Sequence, residues 1–491
     1  MGNLWARKPL AQLQAEASDS DHGLRRALGP GALVALGVGA IIGAGLFVRT
    51  AAAAAYAAGP SVTLGFVVAA VGCAFAGLCY AELSSTIPIA GSAYTYSYAT
   101  MGELVAWIIG WDLVLEYAIG AATVSIAWSE YLNKLLGLLG RGIPYAYCHS
   151  PFQVDEATGV HGIVNLPALA ILLALTLLLI RGMRESAMVN ALIVILKVTI
   201  VVLIIALGWG FIRAENHVPY IPAPTTFTDA QGVDHAYGGL RGIIGAAGIV
   251  FFAFIGFDAV STAAQEAKNP KRDMPIGILG SLVVCTVLYI LFAHVLTGLA
   301  PVAFFRTTGK EASVAKAIDA FMPGYAWLSN SVTVAILGGF SSVILVMLMG
   351  QSRVFYSMAK DGLVPTVFSD VHPRFRTPYK SNWLFFGFTG LFAAFVPEDI
   401  VGDMTSIGTL FAFILVCLGV WVMRVKEPQL KRQFRVPAVP VVSTLGVLVC
   451  GAMIFGLGWT NWTRLGVWLA IGLVVYFTYG RRHSRLGQSA G

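Results

Sequence analysis

Residues 38–48 read VGAIIGAGLFV, and three glycines, at 39, 43 and 45, stand in the middle of an otherwise apolar run. A glycine costs a helix about 1 kcal/mol relative to alanine, so a cluster of them needs a reason. Two reasons are open. Small residues four apart let helices pack closely, and interrupted helices form binding sites at the centre of a membrane.

The composition indicates whether water or lipid surrounds this apolar run. Hydrophobic residues make up 57% of the 491 residues and charged residues only 12%, whereas soluble domains carry about 25% charged residues. Apolar stretches long enough to cross a bilayer recur along the whole chain, and none alternates in polarity as a membrane β-strand does. The sequence therefore predicts an all-α integral membrane protein with about twelve transmembrane helices, near 31–56, 61–86, 102–132, 163–180, 187–212, 240–266, 277–299, 326–357, 382–396, 402–423, 436–457 and 465–480.

The charged residues predict the orientation. Residues 1–30 are polar and lack the apolar core of a signal peptide, so we expect them in the cytoplasm. About two thirds of the 32 lysines and arginines then fall in cytoplasmic segments, which also places the tail at 481–491 inside. Basic loops facing anionic lipid explain the net charge of +7 without a nucleic-acid partner.

The sixth span repeats the pattern of the first. It reads GIIGAAGIVFFAFIGFDAVSTAAQEAKNP over 242–270, with Gly256 at its middle followed by Phe257 and Asp258. Two interrupted helices five spans apart are typical of two five-helix repeats, and an odd number of spans inverts the second copy. Membrane transporters built from two such inverted repeats bind substrate near the midplane, between the repeats.

Four stretches carry a resemblance to a known family. They are VGAIIGAGLFV, CYAELSSTIPIAGSAYTYSYATMGELVAWIIGWDLVLEY at 79–117, FFAFIGFDAVSTAAQEAKNPKRDMPIGI at 251–278 and IGTLFAFILV at 407–416. They resemble the amino acid-polyamine-organocation superfamily, and within it the cationic amino acid transporters and their bacterial relatives. The resemblance implies a LeuT-like fold, with inverted repeats over 31–212 and 240–423, helices 1 and 6 broken, and two further helices over 436–480.

The resemblance also implies a function. We expect secondary active transport of an amino acid with a proton across a bacterial inner membrane, without cofactor or covalent chemistry. The sequence contains no GxxxxGK[ST] phosphate loop, which argues against transport driven by ATP. It leaves open an accessory subunit and the oligomeric state.

The substrate site is predicted from backbone polarity. A helix broken at 43–45 frees N–H groups for a carboxylate, so Ile42, Gly43, Ala44 and Gly45 are expected to hold that group. Carbonyls at the end of the first half of span 6, at Phe252, Ala253 and Ile255, are expected to accept from the ammonium group. The resemblance implies that the Phe252 ring closes over the substrate, and packing in the core is the alternative.

Two side chains bear on the substrate. Asp258 either caps the second half of span 6 or meets a cationic side chain. The resemblance implies that span 8 faces the pocket and that positions like Met347 are small in arginine and lysine transporters. The bulky Met347 therefore favours small neutral amino acids such as alanine, while arginine or lysine transport remains the alternative and Met347 then merely packs.

Lys197 is the one lysine in the middle of a predicted span. The resemblance implies that its amine occupies the position where sodium-coupled members hold a cation, bonded to carbonyls near Gly39 and Ala40. We expect it to couple transport to protons, with Glu116 as a helper if Glu116 reaches it. A permanently charged structural lysine is the alternative.

Other intramembrane polar residues receive structural interpretations. Asp112 lies four residues before Glu116 on one helix face and is expected to be a hydrogen-bond acceptor near the rim of the bundle. Glu82 and Glu266 are expected to be solvated or salt-bridged, and Arg353 to snorkel or to pair in an inner gate. His294 is expected to be packed or hydrogen-bonded rather than a proton relay.

Overall fold

The computed structural model describes residues 4–10, 12–13, 26–43, 45–138, 140–155, 158–228, 234–308, 313–396, 398–456 and 459–486. Helices make up most of the described chain. Their bounds are α1 Pro30–Ile41, α2 Thr50–Ala53, α3 Val62–Thr86, α4 Ser92–Thr100, α5 Glu103–Val114, α6 Gly120–Leu138, α7 Leu166–Arg181, α8 Met183–Gly208, α9 Gly239–Phe251, α10 Pro270–Leu299, α11 Val302–Thr308, α12 Ser313–Phe321, α13 Ala326–Lys360, α14 Tyr379–Phe395, α15 Glu398–Lys426, α16 Val439–Gly456, α17 Trp459–Val475 and α18 Arg481–His483.

The helices confirm a multi-pass membrane protein. Among the described residues, eight helical stretches are long and apolar enough to cross a bilayer, and three shorter apolar helices accompany them. The predicted ninth span, at 382–396, corresponds to the 17-residue helix α14. Two short strands, β1 Thr225–Thr228 and β2 Asp234–Tyr237, pair antiparallel in the segment between α8 and α9.

The first span is interrupted where its glycines cluster. Helix α1 ends at Ile41, and the backbone of Ile42 is extended, with φ −76° and ψ 98°. The chain resumes as a π-helical turn over Gly45–Arg49, passes through α2, and forms a second π-helical turn over Ala54–Ala58. The predicted break is therefore present as an extended step between two helical halves.

The sixth predicted span is interrupted in the same manner. Helix α9 tightens into a 3-10 turn at Phe252–Phe254, and Ile255 is extended, with φ −58° and ψ 137°. Gly256 then has φ +113°, a conformation that residues with a side chain rarely adopt. The second half is a 3-10 helix over Asp258–Glu266.

Two long helices, α10 and α13, hold the two broken spans. Helix α10 packs along α1 and α3, and α13 packs along α1, α6 and α8. Both breaks therefore lie in the interior of the bundle, where unpaired backbone groups are tolerated because protein surrounds them.

One end of the bundle, which we call the ion-pair end, is held by charged side chains. Glu82 at the end of α3 accepts from Arg424 at the end of α15, with N···O distances of 2.8 and 2.6 Å. Glu266 at the end of the second broken span pairs with Arg353 of α13 at 3.1 Å, and both side chains are almost fully buried.

The two chain ends also meet at the ion-pair end. Lys8 Nζ lies 2.5 Å from Oδ1 of Asp361, just after α13, and the backbone N–H of Arg485 donates to the Asp361 carbonyl. The backbone N–H groups of Glu103 and Leu104 donate to the carbonyls of Ala6 and Leu4. The N-terminal and C-terminal segments therefore both fasten to helix ends.

The opposite end, which we call the hairpin end, is held mainly by aromatic contacts. The Arg306 guanidinium lies 4.0 Å from the centre of the Phe227 ring and 4.6 Å from that of Tyr237, and its Nε donates to the Ala55 carbonyl. The segment after α8 reaches the end of α10, where the rings of His217 and His294 lie 4.5 Å apart.

Candidate functional site

The two breaks touch each other in the centre of the bundle. A Cβ atom on Gly45 would lie 2.3 Å from Cα of Ala253, and one on Gly256 would lie 2.8 Å from Cβ of Ala40. Only glycine permits this approach, since a Cβ closer than 3.0 Å to backbone forces the chains apart. The glycines at the two breaks therefore permit close packing.

At this contact the structure brings together the residues predicted to bind the carboxylate and the ammonium group of the substrate. Ile42 and Gly43 form the extended step of the first break, and Gly45 begins the following turn against Ala253. Ala44 lies outside the described residues. Phe252 and Ala253 belong to the 3-10 turn, and Ile255 is the extended residue after it.

A tyrosine that the sequence analysis missed links both breaks. The Tyr289 hydroxyl, on α10, lies 2.9 Å from the carbonyl oxygens of Ile41 and Ala253. A hydroxyl carries one proton, so it can donate fully to only one of these carbonyls at a time. Its presence within a long apolar helix was the available signal, because a buried tyrosine hydroxyl usually has a partner.

Lys197 lies against the first break, as predicted. Its Nζ donates to the carbonyl oxygens of Gly39 at 2.8 Å and Ile42 at 2.7 Å and to Oγ of Ser342 at 3.0 Å, and its side chain is fully buried. Ile42 takes the place expected for Ala40, which instead faces Gly256. The Ser342 hydroxyl also donates to the Gly39 carbonyl, so α8, α13 and the first broken span meet at this amine.

Glu116 lies beside side chains other than Lys197, the partner that the sequence analysis considered. It stands in a π-helical turn, Leu115–Ile119, between α5 and α6, and the side chains beside it are Asp258, Asp112 and Thr409. The described partners of Lys197 do not include it. A side chain in a π-helical turn points in a different direction from the one that α-helical spacing predicts. The direction of the Glu116 carboxyl group could therefore not be predicted from the sequence.

Asp258 is the first residue of the 3-10 helix that forms the second half of the sixth predicted span, and Phe257 before it has no side-chain cap. One carboxyl oxygen of Asp258 accepts from the Tyr117 hydroxyl at 2.6 Å, and the group lies next to Glu116. A buried hydroxyl donor and a second carboxyl therefore define its surroundings.

Helix α13 faces the first break. Val343 Cγ2 lies 2.9 Å from the place of a Cβ on Gly43, and the buried Met347 lies one helical turn further along that face. The guanidinium of Arg49 lies 5.2 Å above the partly buried ring of Phe252. A bulky apolar side chain and an aromatic ring thus flank the two breaks.

The charged residues outside the centre form structural pairs. Glu82 and Glu266 are salt-bridged, as expected, and Arg353 pairs with Glu266 instead of snorkelling to the surface. His294 packs among Trp209, His217 and Tyr220. Asp112 is not near the rim, because its side chain is fully buried against Gly408 of α15.

Comparisons with known proteins fit this arrangement. Residues 28–477 match the protein family described as "Amino acid permease". The chain belongs to this family. It is a membrane transporter of the amino acid-polyamine-organocation superfamily and not an enzyme, as the sequence resemblance predicted.

Individual relatives cover almost the whole chain. The chain is 43% identical to the branched-chain amino acid permease BcaP of Bacillus subtilis (strain 168), over 99% of this chain and 100% of that protein. It is 39% identical to the methylthioribose transporter of the same organism, with the same coverage. It is 34% identical to the vacuolar cationic amino acid transporter 4 of Arabidopsis thaliana, over 87% of this chain and 68% of that protein.

Proposed function

We propose that this permease is a secondary active transporter that takes up small neutral L-amino acids with protons by alternating access. The observation that carries the proposal is the Lys197 amine. It is fully buried and donates to the carbonyls of Gly39 and Ile42 at the break in the first span.

The proposal includes an architecture. The helices of 31–212 and of 240–423 form two inverted five-helix repeats, and those of 436–480 lie outside the repeat. The ion-pair end, with the segments of 1–30 and 481–491, faces the cytoplasm, and the hairpin end faces outward from a bacterial plasma membrane. The basic residues concentrated at the ion-pair end support this orientation.

Substrate binding follows from the polarity of the breaks. The N–H groups at Ile42–Gly45 receive the carboxylate, because they begin the second half of the first broken span. The carbonyls of Phe252, Ala253 and Ile255 receive the ammonium group. Since Ala253 already accepts from Tyr289, substrate binding moves that hydroxyl proton towards the Ile41 carbonyl.

Proton coupling follows from the number of hydrogens on the amine. A protonated amine has three hydrogens and faces three acceptors, Gly39, Ile42 and Ser342. A neutral amine has two hydrogens and a lone pair, which would face a carbonyl lone pair. Loss of the proton therefore loosens the connection between α8 and the first broken span, and this connection is what couples the proton to the motion of the helices.

The test uses proteoliposomes without sodium. We expect a proton gradient directed inward to drive accumulation of alanine, and Lys197→Met to abolish this accumulation while counterflow exchange survives. Lys380→Met is the matched control, because Lys380 pairs with Asp370 at the surface. Accumulation that needs sodium, or that persists under a proton gradient in Lys197→Met, overturns the proposal.

The substrate class is tested by stabilisation of the purified protein. A ligand at one hundred times its Kd adds about 2.7 kcal/mol to the stability of the state that binds it. We expect alanine and other neutral amino acids to stabilise the protein. The BcaP relative, named for branched-chain amino acids, supports a neutral side chain, and Met347 supports a small one. Stronger stabilisation by arginine or lysine than by any neutral amino acid would establish the alternative substrate class.

A further inference from the structure

Asp112 is an anomalous acidic residue of the bundle. It lies in α5, its side chain is fully buried, and neither carboxyl oxygen has a hydrogen-bond donor among the residues that the structure describes. A role as a structural hydrogen-bond acceptor requires a donor, so the interpretation from sequence does not explain it.

The surroundings of Asp112 leave room for a carboxyl group but offer no countercharge. A Cβ on Gly408 would lie 3.2 Å from Oδ1 of Asp112, so the absence of a side chain at 408 accommodates the group. Two basic residues in the described part of the interior are engaged elsewhere, Lys197 with the first break and Arg353 with Glu266.

Asp112 continues a row of carboxyl groups that begins at the breaks. Glu116 lies beside Asp112, and Asp258 lies beside Glu116. An independent side chain also faces this row. The hydroxyl of Tyr80 is fully buried next to Asp258 and Glu116, and no described residue is its hydrogen-bond partner.

The physical cost of charge decides the state of this row. An ionised carboxylate without donors in a membrane interior is far more costly than a neutral carboxylic acid. Neighbouring carboxylates repel one another as well, and this repulsion grows in a medium of low dielectric constant. Asp112 lacks the hydroxyl donor that Asp258 has, so the neutral acid is the favoured form of Asp112.

We propose that Asp112 is a proton-binding residue of the transport cycle. It is a neutral acid in the arrangement described here and releases its proton when the ion-pair end opens and water reaches it. In that step the O–H bond of Asp112 breaks, the proton passes to water, and the electron pair stays on the carboxylate, which water then solvates. This inference rests on the proposed proton coupling. It makes Asp112 a second site of protonation, besides Lys197.

The first experiment measures protonation without transport. Infrared spectra of the purified protein in water and in deuterated water show the carbonyl stretch of protonated carboxyl groups. We expect such a band in the wild-type protein, a loss of part of it in Asp112→Asn, and an unchanged band in Asp370→Asn, whose carboxylate pairs with Lys380 at the surface. A band of the same area in Asp112→Asn and wild type overturns the proposal.

The second experiment measures the pH dependence of transport. Asparagine keeps the shape of the side chain and cannot release a proton, so Asp112→Asn should retain substrate-induced stabilisation and counterflow while the dependence of uptake on internal pH is lost. If Asp112→Asn fails to fold, Asp112→Ser provides a smaller neutral side chain for the same measurements. A dependence on internal pH equal to that of the wild type overturns the role in the cycle.

The two experiments separate this inference from the proposed function. A wild-type protein that shows no accumulation driven by protons contradicts the proposed coupling, and the infrared comparison still decides whether Asp112 binds a proton. A lost band together with an unchanged pH dependence shows a permanently neutral structural acid and overturns the proposed role.

Discussion

Replacing Gly45 with alanine tests whether the contact between the two breaks is required for substrate binding. The added Cβ would lie 2.3 Å from Cα and 2.6 Å from Cβ of Ala253, whereas ordinary contacts of this kind are 3.4 Å or longer. The breaks must therefore separate by roughly 1 Å, and overpacking of this kind typically costs about 1–3 kcal/mol.

The expected result is weaker binding of substrate. If the separation displaces the N–H groups of the first break from the carbonyls of the second, affinity should fall by about 10- to 100-fold, since 1.4 kcal/mol corresponds to a factor of ten. Alanine titrations of the purified protein, followed by thermal unfolding, measure both the affinity and the loss of stability.

Gly248 provides a matched control for this substitution. It lies in α9, and nothing comes within 4 Å of the place of its Cβ. Gly248→Ala should leave binding unchanged and raise stability by up to about 1 kcal/mol, through the higher helix propensity of alanine. If Gly45→Ala binds substrate with wild-type affinity in a stable protein, the assignment of the site to the contact between the breaks is refuted.

Two further predictions concern single side chains. Tyr289→Phe removes the hydroxyl that reaches both breaks, and we expect a loss of about 1–3 kcal/mol in substrate binding. Tyr476→Phe is its control, since Glu103 keeps Tyr98 and Ser484 as donors, and equal affinities in the two variants would contradict a role of Tyr289 in the site. Burial and the neighbouring His294 lower the pKa of His217, which faces His294 and Thr297 of α10 and Tyr220 of its own segment. The unfolded state then binds more protons than the folded state as pH falls from about 7 to 5, so stability should decline over this range, and less steeply in His217→Gln. Equal slopes in the wild-type protein and in His217→Gln would count against this prediction.

The sequence predicted the parts of the site that depend on the backbone. Glycine clusters in an apolar run indicated where the first and sixth predicted spans break, and both breaks occur there. The contact of Lys197 with Gly39 was expected from the family resemblance, and a broken helix offers carbonyls that a buried ammonium group can use.

The sequence could not predict contacts that depend on how distant helices pack. Tyr289 lies far along the chain from Ile41, and no periodicity connects the two. The direction of Glu116 depends on a π-helical turn that sequence spacing does not reveal, so its neighbour Asp258 was not expected. Arg353 was expected either to snorkel or to pair in an inner gate, and the sequence could not name its partner, because Glu266 belongs to another span.

Under the proposed alternating access, the buried pair of Arg353 and Glu266 would make closure of the ion-pair end reversible. Taking two charges out of water costs about as much as their attraction returns, so such a pair adds little net stability while it still demands one geometry. When the end opens, water replaces each partner, and the helices part without crossing a deep free-energy minimum. Apolar side chains in the same place would hold the end shut more firmly and would accept many alignments, whereas this pair returns the helices to the same register each time the end closes.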